Sequence, residues 1–280
     1  MNSTRQRPTS LVTDEYRTVD DSVIDGWVEQ FHQDGFLFLP NLLHPAFIEQ
    51  LHGDLDAALD DKIDIDRDLQ LRSKMFEVSP ANLDLFDMEP IVTFAERLVA
   101  HNCHVFHNNS FKTLPGGGIS NWHQDDDLHL LVTEGSPPTN VRLPVLFFTA
   151  NYYLTDVASL EYGPTQLVKG SHLFGRMPPE STGAVTGGEF AIDGTEYEKD
   201  VLTCLGGAGS VIMFNNQVWH RGARNHSERI RYITQVSYGR RIIGPMYAPF
   251  MNYQMPEHVY RDADPRRRRL LGFKAGGAYS

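Results

Sequence analysis

From Cys103 to about residue 240 the chain consists of short runs of β-branched and aromatic residues cut by glycines and turn residues. No other feature constrains the fold as tightly. Runs of this length, bounded by turns, form strands, and a long series of them predicts an all-β sandwich or barrel. The pattern places strands near 103–112, 119–125, 128–133, 145–154, 164–168, 199–203, 209–215, 218–222 and 229–239. The connection over 174–198, rich in Gly, Ser and Pro, is long enough to be expected to be functional or mobile.

The segment before this core has a different period. Asp20 or Asp21 offers an N-cap to a helix carrying Val23, Ile24, Trp27, Val28 and Phe31 at helical spacing, ended by Gly35. Phe36-Leu37-Phe38-Leu39 predicts a short buried strand. Pro45 suits a first helical turn and opens a second amphipathic helix through Leu51, Leu55 and Leu59; Pro90 opens a third through Phe94 and Leu98. Residues 60–74 are dense in charge and predict an exposed connection. Residues 1–19 are polar and expected to be mobile. The tail, 244–280, predicts an irregular arm. Its Met246, Tyr247, Phe250, Met251, Tyr253 and Met255 favour packing on the barrel over service as a substrate lid. One domain over 1–280 is the simplest arrangement, with 1–19 a mobile segment, 20–102 a helical flank, 103–240 the β core and 241–280 a C-terminal arm.

A chain of 280 residues, 41% apolar, can bury a full core. Its formal charge of −11 argues against a nucleic-acid surface, which needs a basic face. The one basic run, Arg266 to Arg269, is read as a solvated patch in preference to an anion-binding one. Cys103 and Cys204 give no framework for disulfides or zinc, and buried, inert thiols are expected. The first residues contain no apolar leader, and the longest apolar run, 141–154, is too short to span a bilayer. A soluble, cytoplasmic protein is expected.

Three His-x-Asp pairs occur: His32/Asp34, His52/Asp54 and His123/Asp125. On a helix, residues two apart point to nearly opposite sides; on a strand they share a face. The first two pairs fall in predicted helices, so only His123 and Asp125 can chelate one ion as they stand. A second imidazole completes the two-histidine, one-carboxylate set that binds non-haem iron(II) with positions left open. His220, ending Val211-Ile-Met-Phe-Asn-Asn-Gln-Val-Trp-His220, is the best candidate. Arg231 follows on a predicted strand, where a guanidinium could hold a carboxylate bidentately, as a 2-oxo-acid cosubstrate requires.

With these residues in place the sequence resembles the phytanoyl-CoA dioxygenase family of iron(II)/2-oxoglutarate-dependent oxygenases, over about residues 25–240. Phe31-His-Gln-Asp-Gly-Phe-Leu-Phe-Leu-Pro40 is similar to the family's helix-to-strand opening, and Trp122-His-Gln-Asp125 to its metal motif. Gly163-Pro-Thr-Gln-Leu-Val-Lys-Gly-Ser-His172 resembles a further family segment, with Lys169 in place of a frequent proline and Tyr162 in place of an asparagine. Gly209-Ser-Val-Ile-Met-Phe with Trp219-His220 and Arg231 resembles the distal histidine and the 2-oxoglutarate arginine. The family spacing selects Arg231 over Arg229, which strand geometry alone does not.

The resemblance implies a mainly β fold, a double-stranded β-helix (jelly-roll, cupin-like) barrel with flanking helices. It implies iron(II) on His123, Asp125 and His220, with Arg231 binding 2-oxoglutarate. Lys112 and Tyr153, on strands flanking the site, either reach the far end of that cosubstrate or pack the barrel. O2 is consumed and succinate and CO2 are released as a small organic substrate, a natural product or amino-acid derivative, is hydroxylated, desaturated or rearranged. Halogenases of the family lack the carboxylate, so Asp125 favours oxygenation. The Asp126-Asp127 run is unusual and falls at the substrate end. A fatty acyl-CoA is the alternative substrate, its phosphates met by the arginine run. The alternative functions are a catalytically silent jelly-roll and a zinc or manganese cupin-type enzyme, neither of which has a use for Arg231. His101, His104, His107, His129, His172 and His226 are expected to play structural or supporting roles.

Overall fold

In the computed structural model, which describes residues 10–59, 63–64, 68–135, 142–179, 192–244 and 253–273, the chain begins with α1 (Asp14–Arg17) and α2 (Asp21–Asp34). It continues through β1 (Phe36–Leu39) and α3 (Pro45–Ala58). Next come β2 (Ile63–Asp64), β3 (Leu69–Ser73), α4 (Pro80–Asp84) and α5 (Ile91–Leu98). The barrel strands are β4 (His104–Thr113), β5 (Phe147–Tyr153), β6 (Thr165–Val168), β7 (Val201–Cys204), β8 (Val211–Asn215), β9 (His220–Gly222) and β10 (Arg231–Gly239). Two short helices, α6 (Glu257–Tyr260) and α7 (Pro265–Leu270), follow. Among the described residues one sheet runs β1-β8-β5-β10-β4-β3-β2 and a second runs β7-β6-β9. Every pairing is antiparallel. This is the jelly-roll architecture predicted from the resemblance.

The period of two along each central strand sorts residues between two layers. Tyr232, Val236 and Tyr238 of β10, with Phe148, Ala150 and Tyr152 of β5, join the core shared with the helices. There Phe31, Phe94 and Phe148 meet edge-on with centroids 5.6–5.8 Å apart. The alternate residues, Ile233 and Tyr153 with Phe111, Phe214 and Leu167, fill the space between the sheets. The turn from α2 into β1 depends on Gly35, at φ +83°, where a Cβ would lie 2.5 Å from both His172 and Val218.

Several expectations are corrected. Residues 119–125 and 128–133 form no ladder; among the described residues this stretch has one isolated bridge, His123 to His220. Three successive aspartates, Asp125 to Asp127, suit a strand poorly, and the Asp125 amide donates instead to the Asn216 carbonyl at 2.9 Å. The charged connection contains β3, which pairs with β4 and buries Leu69. Order begins early: the Tyr16 hydroxyl donates to the Pro40 carbonyl, and Val12 bridges Leu43. In the tail, Tyr253 and Met255 pack on the core as an arm would; Met246, Tyr247, Phe250 and Met251 lie outside the described residues, as do residues 180–191 of the 174–198 connection. Both cysteines are buried, and burial pushes the Cys103 thiol up to about 11 and the Cys204 thiol up to about 12. Among the described residues no helix is long and apolar enough to cross a membrane.

Of the arginine run Arg268 alone is exposed; the other three are neither a solvated patch nor an open anion site. Arg266 binds Glu96 and Glu89, Arg267 binds Asp84 and Asp87, and Arg269 binds Glu96 and the Cys103 carbonyl. Together with Leu270, fully buried, they clamp α7 onto α4 and α5. Burial pushes the Glu96 carboxyl up, but Arg266 and Arg269 pull harder, and it lies below its ordinary value. A lowered carboxylate pKa contributes stability above the unfolded value, lost as pH falls through the folded one. Acidification below about pH 4.5 is expected to loosen the clamp. Arg266→Ala, which removes the main partner of Glu96, is expected to cost about 1–3 kcal/mol at pH 7, between exposed and buried ion pairs. Denaturant unfolding of both proteins at pH 7 and at about pH 3 checks it: the gap should narrow in acid.

Candidate active site

The backbone brings the three candidate ligands together. β9 begins at His220, whose amide donates to the His123 carbonyl at 2.8 Å while the His123 amide donates back at 3.0 Å. The two rings lie with centroids 4.3 Å apart. Each imidazole is oriented by a carbonyl two residues upstream: His123 Nδ1 to Asn121, and His220 Nδ1 to Val218, both at 2.8 Å. Protonating Nδ1 for these contacts puts the lone pair on Nε2. Both Nε2 atoms turn toward Asp125 Oδ1, at 4.0 Å from His123 and 3.4 Å from His220. One donor atom from each of the three lies within 4.8 Å of the others, a spacing a single ion could bridge.

Asp125 is exposed, with 31% of its side chain accessible, although dense protein surrounds it on the other sides. Burial pushes its carboxyl up; His220, then His123, pull it down further, and the net shift is downward. For His220, burial presses the imidazole down and the Asp125 carboxylate lifts it above its ordinary value. The group is a negative charge shared by two imidazoles, with a deficit of positive charge that a divalent cation would supply.

The triad opens onto a cavity of about 220 Å³ between the sheets, which also holds Arg231. Arg231 is 4% exposed; its Nη2 donates to Thr113 Oγ1 at 3.0 Å, while Nε and Nη1 have no partner. Burial presses the guanidinium down to about 10, still charged at neutral pH. Gly163 and Gly222 make room beside it: a Cβ on either would come within 3.2 and 3.5 Å of its terminal nitrogens. A buried guanidinium with two unmet donors beside a His-Asp-His set suits a metal-chelating dicarboxylate. Arg229, by contrast, is exposed and stacks over Tyr162 at 4.7 Å.

Lys112 and Tyr153 do not line this cavity. Lys112 pairs with Tyr232 in the β4–β10 register, one residue off the inward-facing Phe111, so it points to the helices and binds Asp56 at 2.5 Å. The Tyr153 hydroxyl donates to the Cys204 carbonyl and accepts from the Thr165 amide, both at 3.1 Å, tying the sheets together. Of the other histidines, His172 bonds the His32 carbonyl, His104 the Ile243 carbonyl and His129 the Asp126 carboxylate. His107, expected to play a structural or supporting role, lines the cavity: regular alternation from Phe111 puts it on that face, and the β-bulge just beyond it turns Phe106 to the cavity as well.

The phytanoyl-CoA dioxygenase (PhyH) profile matches residues 31–233, and the chain belongs to this family of iron(II)/2-oxoglutarate-dependent oxygenases. No curated protein matches it by sequence. Solved structures share the architecture. HygX from Streptomyces hygroscopicus, with nickel and 2-oxoglutarate bound, is 16% identical, covers 85% of this chain and 96% of its own, and superposes with a TM-score of 0.61. The epimerase SnoN, in complex with Fe3+, alpha ketoglutarate and nogalamycin RO, is 18% identical over 88% of this chain and 94% of its own, at a TM-score of 0.59. The carbocyclase SnoK from nogalamycin biosynthesis, 18% identical, covers 84% of this chain and 87% of its own, at 0.55.

The two other His-x-Asp pairs are committed elsewhere. His52 lies against the Tyr232 ring with centroids 4.0 Å apart, and Asp54 accepts from Ser79. Burial lowers His32 to about 4, and Lys169 lies 3.2 Å from Asp34. Alanine at His123 or His220 is therefore expected to remove most bound iron, and alanine at His32 or His52 to leave it unchanged. Metal analysis of the purified variants reads this directly; equal iron loss from His52→Ala would refute the assignment.

Proposed function

We propose that the protein hydroxylates, desaturates or rearranges a small natural product or amino-acid derivative. In this reading iron(II) is held by His123, Asp125 and His220, and the distal carboxylate of 2-oxoglutarate by Arg231. The observation that carries it is the unmet pair of donors on buried Arg231, in the same cavity as the His-Asp-His set. When bound, iron(II) and 2-oxoglutarate use O2 to convert the keto acid to succinate and CO2 and to oxidise a substrate C–H bond.

The protein's share is placement. The carbonyls of Asn121 and Val218 fix both imidazoles in one tautomer. Asp125 contributes negative charge that offsets a cation. Arg231 and Thr113 set the depth to which a dicarboxylate enters, and the apolar wall of Phe111, Ile233 and Phe214 excludes water. A silent barrel or a zinc or manganese cupin-type enzyme has no need of a buried, unmet guanidinium. The acyl-CoA alternative loses most of its support, because three of the four arginines that could meet phosphates, Arg266, Arg267 and Arg269, are taken by carboxylates. Ligands such as hygromycin B, bound to HygX, favour the natural-product class. We propose that 1–280 works as one oxygenase domain, and its two buried free thiols suit the reducing cytoplasm.

Iron(II)-dependent succinate formation from 2-oxoglutarate, absent with zinc(II), tests the class. Arg231→Ala is expected to raise the 2-oxoglutarate requirement about 100-fold or more, since truncating a buried charge pair costs about 3–5 kcal/mol. Arg229→Ala should change it less than about tenfold. Titrating 2-oxoglutarate against succinate in the two variants decides between them, and the reverse ranking would move the anchor to Arg229.

A second variant addresses the carboxylate. Asp125→Gly removes a donor and a negative charge, so substrate oxidation should collapse; oxidation near the wild-type rate would show that Asp125 is no ligand.

A further inference from the structure

The cavity floor is built in rungs, because β10 is paired on both sides and Arg231, Ile233, Gln235 and Ser237 all face inward. Arg231 lies opposite Thr113; Ile233 lies between Phe111 and Tyr153; Gln235 has Asn151 beside it; Ser237 lies between His107 and Thr149. Successive rungs are about 7 Å apart, and their chemistry changes from cation to apolar belt, to amide, to imidazole and hydroxyl. Beyond the last rung Phe106 and Phe147 meet edge-on at 5.0 Å and line the cavity.

The two polar rungs are not explained by the cosubstrate or by packing. Asn151 is 6% exposed, lines the cavity, and leaves its Oδ1 without a partner. Buried carboxamides are almost always paired, so an unmet one facing a cavity marks a place where a ligand completes it. Next to it, Thr149 Oγ1 bonds Ser237 Oγ at 2.9 Å, and Ser237 Oγ meets His107 Nδ1 at 3.4 Å. The His107 ring is thus held from one side, with Nε2 left for a ligand. It stands close enough to Asp125 for the carboxylate charge to act on it, so the strip faces the metal triad. A keto acid brings only acceptors and cannot satisfy an amide oxygen; an alkyl chain would bury all these groups unpaired.

We propose that His107 and Asn151, backed by Ser237, Thr149 and Gln235, form the substrate-recognition strip, and that the substrate is a ring system bearing hydroxyl or amino groups. This rests on the oxygenase reading above. Hydroxyl and amino groups can meet the amide and the imidazole, while a ring face packs on Phe106 and Phe147.

The test is calorimetric titration of the protein loaded anaerobically with iron(II) and 2-oxoglutarate. Hygromycin B and nogalamycin serve as ring probes and decanoyl-CoA as a chain probe. At least one ring probe is expected to bind, and decanoyl-CoA is not. Asn151→Leu and His107→Phe should each weaken the ring probe about tenfold or more, and His107→Gln, which keeps a polar tip, should retain most of the affinity. The affinity for 2-oxoglutarate, read from the visible absorbance of its iron(II) complex, should stay within about threefold of wild type in all three variants. Preference for decanoyl-CoA, no binding by either ring probe, or ring affinity unchanged by both Asn151→Leu and His107→Phe overturns the proposal. Loss of 2-oxoglutarate affinity in Asn151→Leu would do the same, by assigning the strip to the cosubstrate. Failure of the oxygenase reading itself looks different: the wild-type protein would develop no such absorbance.

Discussion

The double pairing of β10, with β4 on one side and β5 on the other, is the constraint on which the rest of the molecule depends. A strand held on both edges cannot slip without turning every side chain to the wrong face. Tyr232, Val236 and Tyr238 are thereby committed to the helical layer, and Arg231, Ile233, Gln235 and Ser237 to the cavity. The helices follow from this: the apolar outer face of the sheet must be covered, and Phe31 and Phe94 cover it at Phe148. The inner face is kept partly open, because the second sheet is short and spans only part of it. Stability is concentrated on one side of β10 and chemistry on the other.

The triad itself is held by backbone more than by strand geometry. His123 and Asp125 lie outside any ladder, yet one bridge to His220 and one hydrogen bond from Asp125 to the β8–β9 turn fix both. The ligands therefore come from two segments tied to the same turn, and the imidazoles are aimed by carbonyls two residues away. Such short-range orientation tolerates an irregular stretch where a charged Asp-Asp-Asp sequence would weaken a strand.

The legible part of this fold was what local periodicity controls. The helix ending at Gly35, the Pro45 helix and the strand ending in Thr113 all follow from spacing and punctuation, and the His123, Asp125 and His220 cluster followed from motif spacing and a family resemblance. What was not legible depends on partners distant in sequence. The β3 strand hides in a charged run because its only buried apolar residue is Leu69, and the ladder to β4 decides it. Arg266, Arg267 and Arg269 look solvated because Glu89, Glu96, Asp84 and Asp87, which neutralise them, lie far upstream. Lys112 looked like a cosubstrate contact because a strand near the site has two faces, and only the register with Tyr232 shows which one it takes. The cavity face of His107 depends on the same β4–β10 register.

The choice of arginine at 231 follows from what burial does to a cation. Removing the group from water disfavours its charged form, and here that lowers the guanidinium from 12.5 to about 10. A lysine starts about two units lower, so the same burial would bring it nearer to losing its charge. A guanidinium keeps its charge here with the larger margin, and its fork supplies two parallel donors where an ammonium supplies a point. Thr113 meets one of the guanidinium's terminal nitrogens, and no protein group meets the other or Nε. A dicarboxylate that meets them binds the folded state alone and stabilises it by mass action.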